Sequence, residues 1–148
     1  MTVRFSTQTR TNLAASFATT FANGIIEIRT GSQPASADAA ATGTLLGTVT
    51  LSSGAFTPGT ETNGLTFGAA ASGAVSKTGV WSFAGIAAGT AGWFRLKANA
   101  LDNDTLSTAL PRVDGSIATS GADMNLSNIS VAIGAPSTID SFTLTFPA

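Results

Sequence analysis

The chain has 148 residues, enough for one domain that buries roughly two thirds of its unfolded surface and too few for two full ones. It has no histidine, cysteine or tyrosine, 10% of its residues are charged and its net charge is −1, which removes disulfide scaffolds, thiolate nucleophiles, cysteine zinc sites and histidine-based catalysis. The bases Arg4, Arg10, Arg29, Lys77, Arg95, Lys97 and Arg112 are dispersed, so no nucleic-acid-binding face is expected; with no apolar run near the roughly 18 residues of a membrane span, and no apolar core in the polar stretch 1–10, neither a membrane protein nor a signal-bearing export substrate is expected.

Residues 1–10 alternate Val3 and Phe5 with polar neighbours and read either as the first strand of the chain's own sheet or as an arm that pairs with a neighbour. Over residues 12–22 Leu13, Phe17 and Phe21 recur every four residues, which predicts one short amphipathic helix, capped by Thr11 or Asn12 and stopped at Asn23-Gly24. From Gly24 the period changes to two: Ile26 and Ile28 share one face, Glu27 and Arg29 the other, as in a half-buried strand. Residues 31–41, with Gly31, Pro34 and Asp38, read as a surface loop, and 44–51 as a second strand. In the loop 52–64, Asn63-Gly64 suits a type I′ hairpin turn.

Two aromatic strands follow, 79–83 with Trp81 and 92–97 with Trp93, joined by a glycine-rich turn at Gly85 to Gly92. In the second, Phe94 and Leu96 face one way and Trp93, Arg95 and Lys97 the other, Trp93 covering a sheet edge beside the cationic stems. Residues 99–105 form a turn. Further strands are expected over 111–118, 129–133 and 137–146, where Phe142, Leu144 and Phe146 alternate with threonines. Alanine, glycine, serine and threonine exceed half the chain, but 43% hydrophobic content and balanced charge argue against disorder. Seven or eight short strands after one helix predict an all-β fold, an antiparallel sandwich of jelly-roll type, as a single domain spanning 1–148. So sparse a charge complement suits a surface largely covered by neighbours.

The chemistry-bearing residues are few. Asp102, Asn103 and Asp104 group oxygen ligands, but Leu106 stands at the fifth position and Ala109 where a further ligand is wanted, so a solvated turn is preferred to calcium. Lys77 or Lys97 could serve a Ser–Lys pair, yet Gly-x-Ser-x-Gly is absent and no histidine can act as base. Residues 85–92 lack the Gly-Lys-Ser/Thr of a phosphate loop. Paired carboxylates remain a formal option among eight acids. A sugar-binding role would require Trp81 or Trp93 to be exposed. No catalytic, cofactor-binding or metal-ligating residue is assigned, no cofactor is expected, and the chain is read as a non-enzyme.

The string Ile26-Glu27-Ile28-Arg29-Thr30-Gly31-Ser32-Gln33-Pro34, followed by Asp38 to Leu51, resembles a group of small tailed-bacteriophage and prophage virion structural proteins. Residues 88–96, a glycine turn leading into an aromatic-arginine strand, and 120–126 with 141–145 extend the resemblance over most of the chain. Trp93 departs from the smaller or more polar aromatic expected there, and the pair Asp114-Gly115 falls inside a strand rather than a hairpin. The resemblance implies a virion protein without cofactors. Within that class a capsid decoration or cement protein is favoured, binding the major capsid protein and itself, in some such proteins as a trimer, on the capsid surface. A tail or baseplate component, or a receptor- or carbohydrate-binding module, are the alternatives.

Overall fold

The computed structural model of the protein describes residues 3–148. One helix, α1 (Thr7–Phe21), precedes eleven short strands: β1 (Ile25–Thr30), β2 (Leu45–Leu51), β3 (Thr66–Phe67), β4 (Ala74–Thr78), β5 (Trp81–Ala84), β6 (Gly89–Lys97), β7 (Arg112–Ala118), β8 (Met124–Asn125), β9 (Ser130–Val131), β10 (Pro136–Ile139) and β11 (Thr143–Thr145). The fold is all-β with one helix.

The helix begins earlier than its apolar period suggests. Ser6, in extended conformation, accepts the Thr9 N–H on its side chain at 3.2 Å, satisfying one of the first-turn donors that the helix itself cannot; Thr11 and Asn12 lie inside. Residues 1–10 are therefore not a first strand: 7–10 are helical, 3–6 belong to no strand, and 1–2 lie outside the described residues. Leu13 is 39% exposed, and Ala14, Phe17 and Phe21 face the core. A strict four-residue repeat drifts by about 40° per step on a helix of 3.6 residues per turn, so Leu13 slips off the face that Phe21 defines. Asn23 ends the helix with φ 59°.

Eight strands build a curled sheet in the order β10-β5-β2-β1-β6-β7-β8, with β9 pairing β6, and three more form a smaller sheet, β11-β4-β3. All pairings between strands are antiparallel except β7 with β8. The register sets Ile26 opposite Val49 and Leu96, and Ile28 opposite Phe94, so the inner faces of β1, β2 and β6 form one apolar surface. The small sheet and the helix cover it. Phe17 packs on Phe21 and Phe67, Phe67 on Trp81, Trp81 on Phe142, and Phe142 on Phe94, with ring centroids 4.7 to 5.9 Å apart. These tilted and edge-on contacts carry the core from the helix across both sheets.

Several boundaries differ from the sequence reading. Asn63 has a left-handed φ of 59° but Gly64 does not, and β3 pairs with β4 rather than with β2, so the Asn63-Gly64 pair makes no type I′ hairpin. The glycine-rich 85–92 stretch is not simply a turn, since β6 starts at Gly89. Residues 137–146 are two strands in different sheets, and 129–133 contributes only β9. The strand through Asp114-Gly115 stands as expected: the glycine lies beneath the Phe94 ring, where a side chain would collide.

Candidate functional site

The outer face of the same central strands holds most of the chain's chemistry. In a strand successive side chains point to opposite faces, so the residues between the apolar ones, Glu27 and Arg29 on β1, Arg95 and Lys97 on β6 and Arg112 and Asp114 on β7, gather on one side. The sequence reading gave Glu27 and Arg29 the solvent side of a half-buried strand. Instead Glu27, Arg95 and Lys97 are buried, Arg95 completely.

Two loops close over them. Residues 31–44, between β1 and β2, and 98–111, between β6 and β7, bond to one another through the Ala41 N–H on the Asp104 carbonyl (2.9 Å) and the Ser107 N–H on the Asp38 carbonyl (2.8 Å). Beneath them Arg95 grips Asp114 through Nε and Nη2, both at 2.8 Å, and Nη2 also reaches the Ala39 carbonyl at 3.0 Å. Lys97 Nζ lies 2.7 Å from Glu27 Oε1 and 3.0 Å from Asp104 Oδ2, and Arg29 reaches both of those carboxylates, at 2.8 and 3.0 Å. Arg112 holds Asp102 with two nitrogens and donates to the carbonyls of Thr105 and Ala37. Four bases meet four acids, so the cluster is electrically neutral.

The Asp102-Asn103-Asp104 turn is solvated only in part: Leu101, Asn103 and Thr105 are exposed, whereas both carboxylates are engaged by cations. Asp104 takes a left-handed φ of 60°, and its N–H is bonded by Asp102 Oδ1 at 2.9 Å. This local turn points both carboxylates inward onto cations. Burial pushes the Asp102 carboxyl up, but the Arg112 hydrogen bond, the Asp104 amide and the charge of Lys97 outweigh it and hold the group below the usual carboxylate range. The hydrogen bond to Asp114, opposed by burial, raises the Arg95 guanidinium above its ordinary value. Among the described residues no group of three or more acids is placed to hold a metal ion.

The other candidates disperse. Lys97 lies between two carboxylates and Lys77 donates to the Gly79 carbonyl at 3.0 Å, so both are engaged away from any serine hydroxyl. Trp81 and Trp93 are fully buried, which leaves no tryptophan platform for a sugar. Trp93 is not at a sheet edge either: β6 lies between β1 and β7, and the Arg95 guanidinium stacks 5.4 Å from its ring. Comparison with protein-family models, curated proteins and solved structures yields no match.

What this arrangement can do is fasten. Desolvating charges is costly, and a buried pair earns its place chiefly through geometry and complete hydrogen bonding. Here that geometry ties two loops of a dozen or so residues each to the middle of a sheet. Glu27/Arg29, Arg95/Lys97 and Arg112/Asp114, each spaced by two, were a signal for a shared charged face. Nothing in the local sequence said that loops would cover it.

Proposed function

We propose that the chain is a bacteriophage virion structural protein, and within that class a capsid decoration or cement protein that binds the major capsid protein lattice and stabilises the head. One observation carries most weight. Eight of the chain's fifteen charged residues lie in the internal cluster, so the exterior is left mainly to small uncharged residues and to exposed Val80, Ile86, Leu101, Leu106 and Ile133. A surface of that kind suits coverage by neighbours in a lattice better than a solitary existence in solution. The strings that resemble phage virion proteins also fall on the architecture just described. They span β1, the first covering loop, β2 and most of β6. Gly92 in β6 lies so close to the Gly31 carbonyl that any side chain there would strike it, and Gly31 takes a left-handed φ of 79°, which gives each glycine of the pattern its own physical reason.

In this reading stabilisation is by mass action: a protein that binds only the assembled lattice lowers its free energy by an amount set by concentration over dissociation constant. No turnover and no cofactor are involved, and the partners are the major capsid protein and further copies of the chain on the capsid surface. Immunogold labelling of purified virions with antibody against this chain tests it. Dense label over the head, with heads that survive heating less well when the protein is missing, is the expected result. Label confined to the tail would replace the decoration role by that of a tail or baseplate component.

A further inference from the structure

A short segment ahead of α1 and a cleft between the two sheets are both left without an occupant. Ahead of the helix, Val3 and Phe5 are 70% and 44% exposed, and Arg4 lies between them. Of the three bases outside the internal cluster, Arg10 donates to the Phe146 carbonyl and Thr7 and Lys77 to the Gly79 carbonyl. Arg4 makes no hydrogen bond or ion pair among the described residues.

The cleft, of about 430 Å³, opens between the two sheets where β7 faces β11. Half-buried Val113 and Leu144 give it apolar walls over the buried Phe94 and Phe142 rings, and exposed Asp123 also lines it. Both hydrogen bonds that Asp123 accepts from Ser116 fall on Oδ2, at 2.8 Å, leaving Oδ1 directed to no partner. These same donors, the Ser116 amide first and its hydroxyl second, keep the exposed carboxyl below its usual range and so charged at neutral pH. The other acid of the lining, Asp114, is already bound by Arg95.

We propose that residues 3–5 of one copy dock into this cleft on a second copy of the chain, with Phe5 against Val113 and Leu144 and Arg4 against Asp123. The occupant is argued from complementarity: a segment pairing apolar side chains with an unpartnered base meets a cleft pairing apolar side chains with an exposed acid. The placement also favours exchange between copies. Arg10, on the first turns of α1, reaches the Phe146 carbonyl just past β11, and β11 lines the cleft and forms the outer edge of its sheet. The start of α1 thus lies beside the strand that lines the cleft, and a symmetry axis beside β11 makes the contact reciprocal. The pairing belongs to the isolated chain and does not depend on the virion role.

Light scattering of the purified chain at about 100 μM tests it. The wild type should exceed monomer mass, and Arg4→Glu or Asp123→Lys alone should weaken association by about tenfold or more, because like charges then face each other in the contact. Mixing the two single variants should restore association, since the reversed segment of one meets the reversed cleft of the other. Arg4→Glu lies on the exposed segment and, at dilutions where the chain is monomeric, leaves the melting temperature unchanged, so its result stands even if Asp123→Lys loosens the β7–β8 turn. A monomeric wild type, an oligomer indifferent to both reversals, or a mixture no better than its components would overturn the proposal; rescue only when both reversals share one chain would mean that the segment fills its own cleft.

Discussion

The two faces of the β1-β2-β6-β7 region are both buried, by opposite means. On the inner face Ile26, Ile28, Phe94 and Leu96 lose contact with water against the helix and the small sheet, a gain that scales with area and tolerates some rearrangement. On the outer face Glu27, Arg95 and Lys97 are as deeply buried, but each is tolerated there because an opposite charge neutralises it and bonds most of its polar atoms, Arg95 Nη1 being left with only the charge of Asp104 Oδ1 at 3.6 Å. The inner face makes the fold stable. The outer face decides where two long loops lie. The contrast teaches that an alternating pattern reports which residues share a face, and that a charged face need not be a wet one.

The sharpest way to break this contrast is to remove one residue from each side. Phe94→Ala should cost about 3–5 kcal/mol through lost burial and the cavity left among Phe142 and its neighbours, read from chemical denaturation. Arg95→Met should cost a similar amount, about 3–5 kcal/mol, because Asp114 is left charged and unpaired in a buried place. Replacing both partners, Arg95→Met with Asp114→Leu, should recover most of the second loss and none of the first. If the double variant were no more stable than Arg95→Met, the outer cluster would not be behaving as a set of compensated charges.

Acid should separate the faces next. Asp102 has its folded pKa held below the ordinary value of about 3.9, so the stability it contributes is fully present above that value and drains away as pH falls through the folded pKa. Thermal melts from pH 6 downward should therefore show a decline beginning near pH 4, with the 98–111 loop gaining amide hydrogen exchange before the inner strands do. Asp102→Asn should flatten part of that decline while costing stability at neutral pH. The smallest effect belongs to a residue on neither face: Ser6→Ala should lower stability by about 1 kcal/mol through loss of the helix cap, a change visible in the melting temperature alone.

Much of this could be read along the chain. The inward set Ile26, Ile28, Phe94, Leu96 and the alternation ending in Phe142 and Leu144 follow from a period of two, and the structure keeps them. The helix was legible as an element but not in phase. Its apolar repeat of Leu13, Phe17 and Phe21 hid the better-aligned Ala14, whose small side chain carries little pattern signal. The cap at Ser6 lay beyond the first apolar residue of the repeat. Strands of two residues, such as β3 and β8, have too few positions for a period to show; they exist only because a neighbouring strand offers hydrogen bonds.

By itself the sequence determined the class of fold and the two faces of β1 and β6, because side-chain alternation is a property of the extended backbone; the strand through Asp114-Gly115 was expected from the resemblance alone. Only the tertiary structure decided that the charged face would be sealed, that Asp102 and Asp104 would serve as counter-ions rather than as an exposed turn, and that Trp93 would lie beneath Arg95 instead of at an edge. The physical reason is distance along the chain. Arg29 and Asp104, 75 residues apart, become partners only when β1 and β6 pair and the loops that follow them fold back across the same sheet.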